Sequence, residues 1–117
     1  MKQVMRPRMD VVAVEKEFDF KRVMDIILES GYSRIPVFDG SFDNVIGILF
    51  IKDILPFLND KEDEIKWLEL IRKPFFVPEN KKIDDIMREF QERKTHIAIV
   101  VDEYGGTSGI ITLEDII

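Results

Sequence analysis

The sequence predicts an α+β fold of two tandem β-α-β-β-α copies related by an approximate two-fold axis. Three observations predict it. The segment Gly47–Leu55 returns as Gly109–Ile117, the upstream segment Ile35–Asp39 returns as Ala98–Asp102, and the predicted elements follow the same order in both halves. Paired copies of this kind usually hold a ligand cleft where they meet, so function is expected there rather than at a catalytic motif.

The first copy, with the N-terminal segment before it, is expected to cover residues 1–58. Its main helix is predicted to begin after Asp19, which can cap it, and to end at Gly31, which suits a left-handed C-terminal position. The predicted elements are a strand at Val11–Val14, the helix with Phe20, Val23, Met24, Ile27 and Leu28 on its apolar face, strands at Ile35–Phe38 and Val45–Phe50 separated by turns at 39–41 and 43–44, and a helix from Ile51 towards Leu58 with Pro56 near its end.

A linker is expected over residues 59–71, and the second copy over residues 72–117. The acidic run 60–64 is interpreted as a solvated connector, since it lacks the alternation of a calcium loop. The last helix stops after barely one turn, so it is interpreted as truncated, in a fragment of a longer protein. The predicted elements are a short helix at Glu64–Ile71, a strand at Phe75–Val77, a helix at Ile83–Arg93, a hairpin of strands Ile97–Val101 and Ser108–Ile111, and a helix opened by Thr112.

Composition excludes several classes of function. The 117 residues are 45% hydrophobic, which is enough for a core, and carry a net charge of −6, which argues against binding a nucleic-acid backbone. The absence of cysteine excludes disulfides, thiolate metal sites and cysteine nucleophiles. No apolar run is long enough to span a membrane, and no signal peptide is visible. One histidine and no serine beside a base give no support to catalysis, and no metal site is predicted.

The repeated motifs resemble the CBS domain, named for cystathionine β-synthase. The motif Gly-h-h-(Thr/Ser)-x-x-Asp, where h is apolar, ends a strand and opens a helix, and it follows a strand of the type (Ser/His)-x-h-Pro-Val-h-Asp. The segments Met5–Asp10, Gly31–Val37 and Thr95–Thr107 are similar to the CBS pair of the CorC/HlyC hemolysin-like proteins, relatives of the cyclin M magnesium transporters. The resemblance covers essentially the whole chain. The first copy departs from it at Phe50, where the motif has a hydroxyl.

This resemblance implies a wider protein and its partners. Two CBS domains in tandem form a Bateman module, and members of this family carry a transmembrane domain before it, which implies a location on the cytoplasmic side of a membrane. CBS pairs commonly assemble two-fold, which implies a homodimer through the helices Ile51–Leu58 and Thr112 onward. The apolar side chains of the last helix are expected to have no cover without such a partner: Leu113, Ile116 and Ile117.

Thr112 and Asp115 allow two interpretations. In the first they form a capping box, with the threonine hydroxyl accepting from a backbone N–H and the aspartate reaching back. In the second the Asp115 carboxylate accepts hydrogen bonds from both hydroxyls of a ribose, and the Thr112 hydroxyl faces the α-phosphate near the positive end of the helix dipole. The two interpretations are compatible if Asp115 can exchange its partner.

The segment Tyr32–Pro36 also allows two interpretations. In the structural one, Pro36 begins an edge strand and Arg34 is a solvated charge. In the functional one, Ile35 and Pro36 form a slot whose backbone reads adenine, while Ser33 and Arg34 reach phosphates. By the family resemblance, this segment joins Thr112 and Asp115 around one nucleotide, with Val11 and Val12 as the wall beside the adenine.

The equivalent site of the first copy is predicted to be weaker. It would use Asp53, with His96 facing it, but Phe50 supplies no hydroxyl and adds bulk where a phosphate would lie. A lone histidine at a strand edge is more often structural. We therefore expect one good site.

Two functions remain open. The first is a regulatory module that binds ATP or AMP, with Mg²⁺ as the nucleotide's counter-ion, and acts on an attached membrane domain that handles magnesium or other divalent cations. The second is a structural dimerisation module with no nucleotide. The set Ser33, Arg34, Thr112 and Asp115 favours the first, because a purely architectural pair would not need it.

Overall fold

The computed structural model describes residues 4–59 and 65–116. The predictions at 60–64, for Glu64 and for Ile117 lie outside the described residues. The strands are β1 (Arg6–Pro7), β2 (Val14–Glu15), β3 (Arg34–Asp39), β4 (Ser41–Phe50), β5 (Phe76–Pro78), β6 (Ile97–Val101) and β7 (Thr107–Thr112). The α-helices are α1 (Phe20–Ser30), α2 (Ile51–Ile54), α3 (Ile83–Arg93) and α4 (Leu113–Ile116), with 3₁₀ turns at Arg8–Asp10, Leu55–Phe57 and Trp67–Leu70.

These elements form two compact units. The first unit is Val12–Lys73, and the second combines the described residues up to Val11 with those from Pro74 onward. The first unit contains β2-α1-β3-β4-α2 and the second β5-α3-β6-β7-α4, which confirms the predicted α+β class and the repeated order of elements.

The first unit has a three-stranded sheet in the order β2-β3-β4. Strand β2 is parallel to β3, and β3 is antiparallel to β4. Helix α1 begins as predicted, because the Asp19 carboxylate accepts the Arg22 N–H at 2.8 Å, and ends as predicted at Gly31, whose φ is +71°. Phe20, Val23 and Ile27 of α1 are buried, whereas Leu28, predicted for the same face, is 73% exposed.

The connector Trp67–Lys73 packs on the first unit. Trp67 is buried in its core, and the indole N–H donates to the Phe18 carbonyl at 2.8 Å. Residue Arg72 then forms an antiparallel bridge with Ile48. The expected linker at 59–71 is thus part of a compact unit wherever it is described, since burying a tryptophan stabilises its docked position.

The second unit has a four-stranded sheet in the order β1-β7-β6-β5. The predicted hairpin of β6 and β7 is confirmed, with Ile97 opposite Thr112. Helix α3 has the predicted bounds and buries Ile86 and Phe90. Its C-cap is Lys94 at φ +53°, where the first unit has glycine.

The N-terminal segment folds with the second unit. Arg6 pairs with Ile110 and Pro7 with Gly109, so the described residues up to Val11 lie with that sheet, although the repeat in the sequence groups residues 1–58 as one subdomain. Backbone pairing decides this grouping, and a two-residue strand carries no hydrophobic period that sequence patterns can detect.

Several element bounds also differ from prediction. Strand β4 begins at Ser41, so the predicted turn at 43–44 is strand, interrupted by irregular pairing near Phe38. In place of the predicted strand Val11–Val14, the structure has only β2. The helix predicted from Ile51 is the short α2 followed by a 3₁₀ turn, and the helix predicted to end at Ile71 is a 3₁₀ turn. Pro56 explains the first of these two, because its ring and missing N–H interrupt α-helical bonding.

Leu113 and Ile116 are partly covered within their own unit. Both are partly buried and pack against the second unit's core of Phe75, Phe90 and neighbouring aliphatic side chains. Their own unit thus explains part of their apolar character, and the expected dimer contact stays a prediction.

Candidate functional site

The hairpins of the two units place corresponding residues at the start of a short helix. In the first unit the Ile51 N–H donates to the Ser33 carbonyl at 2.9 Å, and in the second the Leu113 N–H donates to the His96 carbonyl at 2.9 Å. Arg34 lies opposite Phe50, just as Ile97 lies opposite Thr112. The corresponding pairs are therefore Ser33 and His96, Phe50 and Thr112, and Asp53 and Asp115.

Thr112 and Asp115 lie together in the second unit. Thr112 is half-buried at the end of β7, and its Oγ1 accepts the Asp115 N–H at 3.3 Å, which is the threonine half of the predicted capping box. Asp115 is exposed, and among residues 4–59 and 65–116 no group donates to its carboxylate. The aspartate half of the box is thus open, and the carboxylate remains accessible to solvent.

The segment Tyr32–Pro36 lies in the first unit. Ser33 is exposed, Tyr32 and Arg34 are half-buried, and Ile35 and Pro36 are buried. Tyr32 packs against the first unit's core. The segment thus changes within five residues from an accessible hydroxyl to core side chains.

Pro36 does not begin an edge strand, as predicted, but lies third in the central strand β3. Proline is tolerated there because its neighbour in β4, Ile48, uses both of its backbone groups in hydrogen bonds with Arg72, at 2.9 Å each. Ile48 therefore needs no hydrogen bond from Pro36. The alternation of an antiparallel ladder then directs the backbone groups of Ile35 towards Leu49.

Three cationic groups surround the Phe50 ring in the first unit. The guanidinium carbon of Arg72 lies 4.3 Å from the ring centroid, that of Arg34 lies 5.6 Å away, and the Lys52 ammonium lies 5.7 Å away. These distances fall within the range of cation–π attraction. The phenylalanine that departs from the repeat motif therefore lies within a positively charged cluster.

Arg72 also forms an ion pair with the Asp53 carboxylate. Its Nε and Nη2 donate to the two carboxylate oxygens at 2.8 Å each, the bidentate geometry of strong arginine–carboxylate pairs. These hydrogen bonds lower the pKa of Asp53 and raise that of Arg72. Sequence patterns missed Arg72, although Arg-Lys-Pro at 72–74 resembles Arg-Pro at 6–7, which forms the corresponding bridge in the second unit.

The remaining predicted residues have less informative positions. His96 is exposed, and its carbonyl accepts from Leu113. Val11 is half-buried in the second unit, where its N–H donates to the Arg8 carbonyl at 3.3 Å, while Val12 packs against the core of the first unit. Within the described ranges, no three side chains of His, Asp or Glu are grouped to hold a metal ion.

Comparison with known proteins identifies the repeat. The family model for the CBS domain matches twice, at residues 1–60 and 67–117. The magnesium and cobalt efflux protein CorC of Escherichia coli K12 is 36% identical over all 117 residues, and that of Buchnera aphidicola is 38% identical. The chain spans about 40% of the length of these relatives.

Solved structures agree with this family. A conserved domain of Neisseria meningitidis aligns with a TM-score of 0.95 at 35% identity, covering 99% of this chain and 75% of that one. The CBS domain of a bacterial CNNM/CorC family Mg²⁺ transporter in complex with ATP aligns with a TM-score of 0.92 at 37% identity, covering 98% and 82%. A CBS pair of Klebsiella pneumoniae with bound AMP aligns with a TM-score of 0.86 at 28% identity, covering 99% and 93%.

No helix in the described parts of the chain has both the length and the apolar character required to cross a bilayer. The double match to the CBS model and the likeness to CorC extend over the same residues as the repeat. The chain therefore belongs to the CBS-domain family, as a tandem pair of the CorC type.

Proposed function

We propose that this CBS pair is a regulatory module that binds an adenine nucleotide, ATP or AMP. The observation that carries the proposal is the Asp115 carboxylate, which is exposed, has no partner among the described residues, and follows the Thr112 hydroxyl by three residues. A free carboxylate of this kind can accept hydrogen bonds from both hydroxyls of a ribose. The ATP complex and the AMP complex of related CBS proteins support the choice of ligand.

The first unit contributes the phosphate-binding groups in this proposal. Arg34 brings a planar guanidinium with several donors, and the exposed Ser33 brings a hydroxyl. Tyr32, Val11 and Val12, which are half-buried, supply apolar surface for the adenine, whereas Ile35 and Pro36 are buried and offer none. Mg²⁺ accompanies the nucleotide as a counter-ion, because the phosphates carry more charge than these groups neutralise.

Binding is proposed to regulate an attached membrane domain. The curated relatives are efflux proteins for magnesium and cobalt, and this chain corresponds to less than half of their length. In a longer protein of that kind, the pair would lie on the cytoplasmic side, where adenine nucleotides are abundant. The nucleotide can shift the attached domain only by binding its two states with different affinity.

Calorimetric titration with ATP and with AMP, with and without Mg²⁺, tests the proposal. Asp115→Ala is expected to weaken binding by about 1.5–3 kcal/mol, the range for hydrogen bonds to a charged group. Asp53→Ala is the matched control, because Asp53 has the same position in the other unit but is paired with Arg72. Unchanged binding by Asp115→Ala, or an equal loss in the control, would show that the ribose assignment is wrong.

A second candidate function is that of an assembly module, and an apolar groove on the first unit favours it. The groove has a volume of about 240 Å³, and its lining includes Leu28, Leu55 and Leu58, which are 73%, 56% and 49% exposed. Exposed aliphatic side chains that line one groove are typical of protein contact surfaces. Thermal unfolding separates the two functions, because a nucleotide at 100 times its Kd adds roughly 2.7 kcal/mol of stability, whereas an assembly module shows no shift.

A further inference from the structure

The corresponding carboxylates of the two units have different surroundings. Asp115 is exposed, and no group in the described part of the chain donates to it. Asp53 receives two hydrogen bonds from Arg72 at 2.8 Å, and its side chain is only 24% exposed. The chemical group that the proposed function assigns to ribose binding is therefore accessible in one unit and occupied in the other.

The backbone places Arg72 independently of its side chain. The Arg72 N–H donates to the Ile48 carbonyl and the Ile48 N–H donates to the Arg72 carbonyl, at 2.9 Å each. Gly47 permits this approach, since a Cβ at that position would lie 3.0 Å from the Arg72 carbonyl oxygen and 2.7 Å from Ile71 Cδ1. The Arg72 backbone is thus fixed beside Ile48, and from there the guanidinium reaches Asp53 without any movement of the main chain.

The same guanidinium covers Phe50, which replaces the hydroxyl residue of the other unit. Its carbon lies 4.3 Å from the ring centroid while its nitrogens bind Asp53. A ribose that used Asp53 would have to break two charge-assisted hydrogen bonds and displace the guanidinium from the ring. No such displacement is needed at Asp115.

We propose that Arg72 acts as an internal ligand of the first unit, which occupies Asp53 and so restricts nucleotide binding to the carboxylate of Asp115. This inference rests on the proposed function and adds the residue that makes the duplicated pair bind one nucleotide. Loss of the Arg72 side chain leaves Asp53 free while Arg34 and Lys52 remain beside Phe50. The first unit then offers a carboxylate for a ribose and the Lys52 ammonium for phosphates, because the proposed function assigns Arg34 to the nucleotide at Asp115.

Titration with MgATP of variants that lack Asp115 tests the inference. Asp115→Ala alone is expected to lose roughly 10- to 100-fold in affinity. Adding Arg72→Met, which keeps a long apolar side chain without the guanidinium, is expected to raise the affinity of the Asp115→Ala chain by roughly 2- to 5-fold. Adding Lys73→Ala instead removes an exposed charge of the same sign from the neighbouring position and is expected to restore nothing. Asp53→Ala in the Arg72→Met, Asp115→Ala chain is expected to abolish the gain in affinity.

The outcomes separate this inference from the proposed function. If the wild type binds, Asp115→Ala does not, and Arg72→Met restores nothing in a chain with native circular dichroism, the inference fails and the proposed function stands. If Asp115→Ala binds as the wild type does, the ribose assignment fails, and the inference, which rests on it, fails with it. Arg72→Ala serves as the second variant if the Arg72→Met chain does not fold.

Discussion

Gly109 lies against the backbone of Arg6, so closely that a Cβ on the glycine would be 2.1 Å from the Arg6 carbonyl oxygen. This contact lets β1 lie directly beside β7 and completes the sheet of the second unit. Gly47 has the corresponding role in the first unit, but there a Cβ would meet the flexible Ile71 side chain first, at 2.7 Å.

Gly109→Ala is expected to destabilise the protein more than Gly47→Ala. Backbone cannot yield as a side chain can, so Gly109→Ala must displace β1, at a cost of about 1–3 kcal/mol. Urea denaturation of both variants measures the difference. Equal losses of unfolding free energy would contradict the close approach of Arg6.

The Asp53–Arg72 pair is expected to show a coupling energy of about 0.5–1 kcal/mol in a double-mutant cycle. The bidentate geometry favours a measurable value, but Arg72 is about half exposed, so solvent screening keeps it near the upper end for surface pairs. The cycle uses Asp53→Ala, Arg72→Met and the double variant in urea denaturation. A coupling of zero would mean that the pair is not maintained in solution.

The same pair predicts a pH dependence of stability. Hydrogen bonds from Arg72 lower the pKa of Asp53 in the folded state. Its contribution is therefore fully present above the ordinary aspartate pKa of about 3.9 and is lost as the pH falls through the lower folded value. The difference in unfolding free energy between the wild type and Arg72→Met should be constant near neutral pH and shrink below about pH 4. A difference that grows on acidification would contradict this assignment.

Thr112→Val is expected to weaken both the last helix and nucleotide binding. The substitution removes the oxygen that accepts the Asp115 N–H, and caps of this kind contribute about 0.5–2 kcal/mol, with the long 3.3 Å bond favouring the low end. Thr112→Ser keeps the hydroxyl and should bind nearly as the wild type does. Calorimetry with ATP compares the three chains, and equal binding by Thr112→Val would exclude a role for the hydroxyl.

Leu28→Asp is expected to shift self-association towards the monomer if the groove of the first unit is an assembly surface. A buried, unpaired carboxylate would oppose association, whereas the monomer keeps this side chain in water. Tyr104→Asp is the control, because Tyr104 is 89% exposed in a turn of the second unit. Sedimentation velocity measures both, and an equal shift would show that the groove is not specific.

The elements that the sequence predicted best are those with strong local signals. Helix α1 has a capping aspartate and a terminal glycine, and helix α3 has a regular apolar stripe, so their bounds could be predicted closely. The site residues Thr112 and Asp115 could be found because the repeat marks them. Their availability for a ligand stays a prediction until binding is measured.

The pairing of Arg72 with Asp53 could not be predicted, because it depends on where a connector crosses a sheet. The likeness of Arg-Lys-Pro at 72–74 to Arg-Pro at 6–7 is too short a signal to predict that Ile48 and Arg72 exchange backbone hydrogen bonds across 24 positions. The same holds for β1, whose Arg-Pro sequence has no strand periodicity. In both cases the position of a basic residue follows from long-range backbone contacts.

Strand β1 has a consequence for how this protein can be divided. Arg6 and Pro7 pair with β7, in a sheet built mainly from the last third of the chain. A cut between the two copies would therefore separate β1 from β7. The unpaired backbone groups of β7 would then be a template for aggregation. The boundary between the two copies in the sequence therefore differs from the boundary between the two compact units.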